Sequence, residues 1–168
     1  MLSKFHDDSE EKEIKQEKQL VVFTLNDQEF GVEIKQAREI INRKELTSIP
    51  NAPEFVKGVI NLRGEIVPVI KLKKRLNLSS EDVNKAEDKI IIVAINGTQV
   101  GMIVDDVQGI IRIEKDNIGI PPKITQGINK KYISGVGKME EKLLIILDLD
   151  QVLSRREVEE LEELEVEE

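Results

Sequence analysis

Apolar residues in this chain come in short runs broken by turn formers, a pattern of strands rather than of long helices. Leu20-Val21-Val22-Phe23-Thr24-Leu25 predicts a strand, Asn26-Asp27 a turn, and Glu29 to Ile34 a second strand. Ala37 to Asn42 resumes the apolar pattern after a short break, and Pro50 and Pro53 punctuate a loop. Phe55 to Asn61 and Glu65 to Leu72 predict a hairpin with a charged tip at Arg63-Gly64-Glu65. Gly64 takes positive φ without steric cost, so the tip reads as a tight turn that displays a guanidinium at a rigid corner. Pro68 has no N–H to give to a ladder, which predicts a sheet edge or a bulge for the second strand. The ends differ in character. Residues 1–18 are rich in Lys and Glu and predict a flexible tail. At the other end, Ser154 and Glu157 have capping-box spacing, and Val158, Leu161 and Leu164 share one helical face, so 154–168 predicts an acidic helix that frays at its end.

The pattern then repeats. Lys89 to Ile111 lies on Gln19 to Ile41 without a gap, placing Asn96 on Asn26, Gly101 on Gly31 and Ile110-Ile111 on Ile40-Ile41. Tyr132 to Leu149 lies on Phe55 to Leu72, again without a gap, with Gly135-Val136 on Gly58-Val59. The chain therefore predicts two copies of one small β unit, 19–72 and 89–149, joined by a linker over 73–88 that holds a helical turn. Each copy supplies four or five strands, and five can close into a small barrel. Ile90 to Ile95 is apolar on both faces, which requires cover on both sides and fits two barrels packed on a shared core. Residues 114–131, with Pro121-Pro122 and Gly127, predict the long loop of the second copy.

Composition narrows the chemistry. A chain of 168 residues buries enough surface to need no staple, and it contains no cysteine for a disulfide or a thiolate site. The net charge of −8 argues against nucleic acid and anionic lipid as main partners. No apolar run is long enough to span a bilayer. The one histidine, His6, sits in the tail, and no nucleophile elbow, phosphate loop or dinucleotide fingerprint is present. Asp105-Asp106 could be offered as a carboxylate pair, but neighbours on a strand point to opposite faces. With aromatics at only 3%, there is no sign of a lined ligand pocket. The two copies share an apolar scaffold yet differ at the hairpin tip, where Arg63-Gly64 faces Glu140-Glu141. Such tip positions are free to specify partners.

Gly58-Val59-Ile60-Asn61-Leu62-Arg63-Gly64, followed by Ile66-Val67-Pro68-Val69, resembles the central motif of the CheW family of bacterial chemotaxis coupling proteins. Val22-Phe23-Thr24-Leu25, Phe30-Gly31-Val32 and Arg38-Glu39-Ile40-Ile41 are similar to the family's opening segment. The resemblance covers 19–153. It implies a mainly β fold of two pseudo-repeated, five-stranded SH3-like β-barrels with a third apolar core between them, plus the C-terminal helix. It also implies a non-enzymatic, cofactor-free cytoplasmic adaptor, recruited to membrane receptor arrays. One surface would bind the regulatory domain of the histidine kinase CheA, and another the cytoplasmic tip of methyl-accepting chemoreceptors. Partner contacts are implied at Ala37, Glu39, Gly58, Asn61, Arg63 and Gly64, with Arg63 directed at the receptor. Two residues depart from the family pattern: Lys71 stands where an acid is common, and Ala37 where a larger aliphatic residue is common. The competing readings are a CheW-like module of a larger kinase- or receiver-linked scaffold, and a small-ligand barrel or enzyme.

Overall fold

The computed structural model describes residues 16–42, 44–78, 89–121 and 127–166, with side chains of the last helix through Glu163. The tail over 1–15, the linker over 79–88, Pro122 and the side chain of Leu164 lie outside the described residues. The first copy builds the hairpin β1 (Glu17–Leu25) and β2 (Gln28–Glu33), then β3 (Ala37–Asn42), the hairpin β4 (Val56–Leu62) and β5 (Glu65–Lys71), and one helical turn, α1 (Leu72–Arg75). The second builds β6 (Lys89–Ile95), β7 (Thr98–Val104), β8 (Asp106–Glu114), the short β9 (Ile118–Gly119), β10 (Ile133–Met139), β11 (Lys142–Leu147) and α2 (Leu149–Val152). The chain closes with α3 (Arg155–Val166). The first strand reaches into the segment expected to be tail: Glu17 and Lys18 pair with Glu114 and Ile113 of β8. No helix among the described residues is long and apolar enough to cross a membrane.

The two copies do not each close a barrel of their own. One sheet runs β8-β1-β2-β11-β10-β9 and the other β3-β6-β7-β5-β4. Each therefore takes its leading hairpin from one copy and its remaining strands from the other. Exchanging equivalent strands turns one order into the other, and the isolated Thr47–Val59 bridge stands where β9 pairs with Val136. The internal repeat is thus a pseudo-twofold with swapped hairpins. Both sheets curl until their ends meet. In one, the tip of the β4–β5 hairpin reaches β3 through Arg63 and Glu39. In the other, a methyl group on Gly137 of β10 would lie 2.7 Å from Ile113 of β8.

Three apolar cores follow from strand periodicity. On β6, Ile90 and Ile92 enter one barrel with Ile60, Leu62, Val67 and Val69. Ile91, Val93 and Ile95 face the other way, into the core shared by the barrels. On β1, Leu20 and Val22 enter the second barrel with Leu144 and Ile146, while Val21, Phe23 and Leu25 join the shared core. The doubly apolar run over Ile90–Ile95 is therefore covered on both faces, as expected.

Pro68 departs from expectation, because β5 lies inside its sheet, between β4 and β7. Val59, opposite Pro68, directs both of its backbone groups at Thr47. The Val59–Pro68 pair is thus a non-hydrogen-bonded one, and the missing N–H faces the β7 side. The repeat shows the consequence. Ile145, the equivalent of Pro68, pairs in parallel with Phe30, whereas the β5–β7 ladder begins one residue later, at Val69–Gly101. Proline deletes one rung of an interior ladder rather than marking an edge.

Candidate functional site

The β4–β5 tip is a two-residue turn, with Leu62 paired to Glu65 across it. Arg63 and Gly64 have φ of 52° and 87°, the sign pattern of a type I′ turn, whose twist matches that of the flanking strands. Asn61 fixes the turn: its Oδ1 accepts from the Gly64 N–H at 2.9 Å. The backbone is thereby committed, and the Arg63 side chain stands 72% exposed.

Its guanidinium is not without a partner. Nη1 donates to Glu39 Oε1 at 3.3 Å, and Nη2 donates to Oε2, a two-pronged grip. Glu39 reaches this position because β3 carries a bulge between Ala37 and Glu39. Ala37 pairs with Val93 and packs against the shared core, whereas Glu39 pairs with Ile92, whose side chain faces the barrel interior. The bulge therefore sets Glu39 at the mouth of the barrel while Ala37 turns inward. The hydrogen bond from Arg63 is the main cause holding the Glu39 carboxyl below its usual range, and Glu39 in turn raises the Arg63 guanidinium further.

Of the six residues expected at partner surfaces, Glu39, Asn61, Arg63 and Gly64 come together at one corner. Ala37 lies on the same strand as Glu39 but faces the shared core. Gly58 is apart from them, buried at a β4–β5 bulge. A Cβ there would sit 2.5 Å from the Thr47 carbonyl oxygen, so glycine is what lets Thr47 approach β4. Sequence reasoning named Glu39 and Arg63 separately but missed that they bind each other. The repeat held the signal: their equivalents are Gly109 and Glu140, so both members of the pair are found in the first copy only.

The aspartates set aside above serve the scaffold. Asp105 pairs with Lys73 at 2.6 Å and accepts from the Asn26 N–H at 2.8 Å, while Asp106 accepts from Val107 N–H. Among the described residues no cluster of three or more His, Cys, Asp or Glu could hold a metal ion.

The family model described as a CheW-like domain matches residues 19–157. The chemotaxis protein CheW of Treponema pallidum (strain Nichols) is 32% identical over 149 residues, 87% of this chain and 88% of that protein. The chemotaxis protein CheW of Bacillus subtilis (strain 168) is 35% identical over 143 residues, 85% of this chain and 91% of that protein. Among solved structures, the scaffolding protein TtCheW from Thermoanaerobacter tengcongensis superposes with a TM-score of 0.76 at 37% identity, covering 83% of this chain and 94% of that one. The family model spans most of the chain and the relatives exceed 30% identity over more than four-fifths of it: the chain belongs to the CheW family.

Proposed function

We propose that this chemotaxis coupling adaptor joins the histidine kinase CheA, held through its regulatory domain, to the cytoplasmic tips of methyl-accepting chemoreceptors. It acts in the cytoplasm, beneath receptor arrays, and catalyses no reaction. The observation that carries the reading is the Arg63 corner. Arginine there holds a left-handed φ that Asn or Gly would adopt at less cost. The second copy has Glu140 at the same position, with φ of 53°, so the fold has no need of a cation there. An exposed arginine at a tip position where the fold also accepts a glutamate supports a role outside the fold. A guanidinium grips carboxylates in a planar fork, which suits a helical receptor tip carrying surface acids. In the free protein Glu39 occupies that fork, so a partner carboxylate must share it or displace Glu39. Glu39 belongs to the same proposed partner face, Asn61 and Gly64 hold the tip in shape, and Ala37 and Gly58 support that face from within the fold.

The test is titration of wild type and Arg63→Glu against a receptor-tip fragment and, separately, against the CheA regulatory domain. Receptor affinity is expected to fall at least about 30-fold, with kinase affinity and melting temperature unchanged. Equal receptor affinity would remove Arg63 from the interface. Loss of both partners with a lowered melting temperature would make it a structural residue.

A further inference from the structure

The C-terminal helix is poorly made for standing alone. It has 12 residues, a length at which isolated helices are marginal. Its charges are set against its dipole: Arg155 and Arg156 open it, Glu159, Glu160, Glu162 and Glu163 follow through its middle, and no basic residue stands in the last turn. What favours it locally is the reciprocal Ser154–Glu157 capping box, at 3.0 and 3.1 Å, and one loose i,i+4 pair, Arg156–Glu160 at 3.9 Å. The remainder of its hold comes from the rest of the molecule. Val158 and Leu161 are buried in the shared core, and Thr98 donates to Glu162.

One side chain joins that helix to both copies. Arg75, at the end of α1, donates from Nε to the Val152 carbonyl at 2.7 Å and from Nη2 to Glu157 Oε1 at 2.6 Å. Its guanidinium also lies 4.8 Å from the Phe55 ring centroid and 5.5 Å from that of Tyr132, and these two rings are repeat equivalents. The repeat equivalent of Arg75 is Val152 itself, which is fully buried. The repeated scaffold accepts an aliphatic residue at that position. The cation is an addition of the first copy, and its carboxylate partner is the capping-box residue of α3.

We infer that α3 is a strap that opens as a unit separate from the barrels, and that Arg75 is the latch that holds it shut. Glu157 is the point of leverage, since it caps the helix and receives the latch with one carboxylate. Opening withdraws Val158 and Leu161 and bares the apolar slot they fill. It also removes one wall of the groove that Arg155, Glu159 and Glu162 form with Gln36 and Arg38. That groove leads into β3, so the strap alters the surface beside Ala37 and Glu39.

Amide hydrogen exchange on the full chain tests this, comparing wild type with Arg75→Met and Glu157→Gln. Arg75→Met keeps an apolar stem over the two rings but breaks both hydrogen bonds. Glu157→Gln leaves Arg75 in place and keeps a capping-box acceptor, but removes the charge that Arg75 and the Ser154 N–H share. The expected result is faster exchange of α3 amides in both variants, by at least about tenfold in Arg75→Met and less in Glu157→Gln, with β1, β6 and β11 as protected as in wild type. Unchanged α3 exchange in both variants would overturn the latch. Equal acceleration across α3 and the strands would overturn the strap, because the helix would then open only when the whole protein unfolds.

Discussion

At the scale of single residues, the chain separates what holds its shape from what it shows to others. Gly58, Asn61 and Gly64 are spent on backbone geometry, whereas Arg63 and Glu39 meet in a bond that the second copy does without. That bond fixes a titration. The Glu39 carboxyl is depressed chiefly by its hydrogen bond to Arg63, so the pair is complete above the ordinary glutamate range and is lost as pH falls through the lowered value. In Arg63→Ala the Glu39 carboxyl should titrate higher than in wild type, as followed by carboxyl NMR. Identical titration in the two proteins would mean that the pair does not form in solution. The individual members of this corner were legible in sequence because the Asn-Leu-Arg-Gly string is distinctive. Their pairing was not, because it depends on two distant strands meeting when the sheet curls.

At the scale of elements, the two glycines in the bulges of β4 and β10 look alike in sequence but do different work. A Cβ on Gly58 meets the backbone oxygen of Thr47 at 2.5 Å, and a carbonyl cannot move without dragging the backbone around it. On Gly135 the nearest atom, at 2.6 Å, is a methyl of Ile118, with the Gly119 oxygen at 3.3 Å. Gly58→Ala is therefore expected to destabilise by about 1–3 kcal/mol, and Gly135→Ala by less, because a side chain can yield. Urea unfolding of both variants measures this, and the reverse order would contradict the account. For α3, the capping box and the apolar face were readable from spacing alone. The Arg75 contact was not, since it links residues 82 apart in sequence. Deleting 155–168 should lower the melting temperature, because Val158 and Leu161 each contribute roughly 1.5–3 kcal/mol on burial. An unchanged melting temperature would show that the helix adds nothing to the core.

At the scale of the whole molecule, the repeat was visible because strand, turn and glycine positions recur without a gap. The exchange of hairpins was hidden. Alternation along Ile90–Ile95 says that both faces are buried, but not which neighbours bury them. Pro68 misled for a related reason: the direction of its missing N–H depends on pairing type, which local sequence does not encode. The swap has a consequence. Fragments 1–82 and 83–168 each hold an incomplete set of strands for both barrels. Each should be largely unfolded alone by circular dichroism, and the two should regain native strand content when mixed; two independently folded halves would contradict the swapped topology. The proposed coupling requires this single folded unit to hold two proteins at once. Sedimentation velocity of the chain with a receptor-tip fragment and the CheA regulatory domain together tests it most directly. One species containing all three components is expected for wild type, and a kinase-bound species without receptor for Arg63→Glu. Displacement of the kinase fragment as receptor is added would contradict it, since an adaptor whose partners exclude each other cannot couple them.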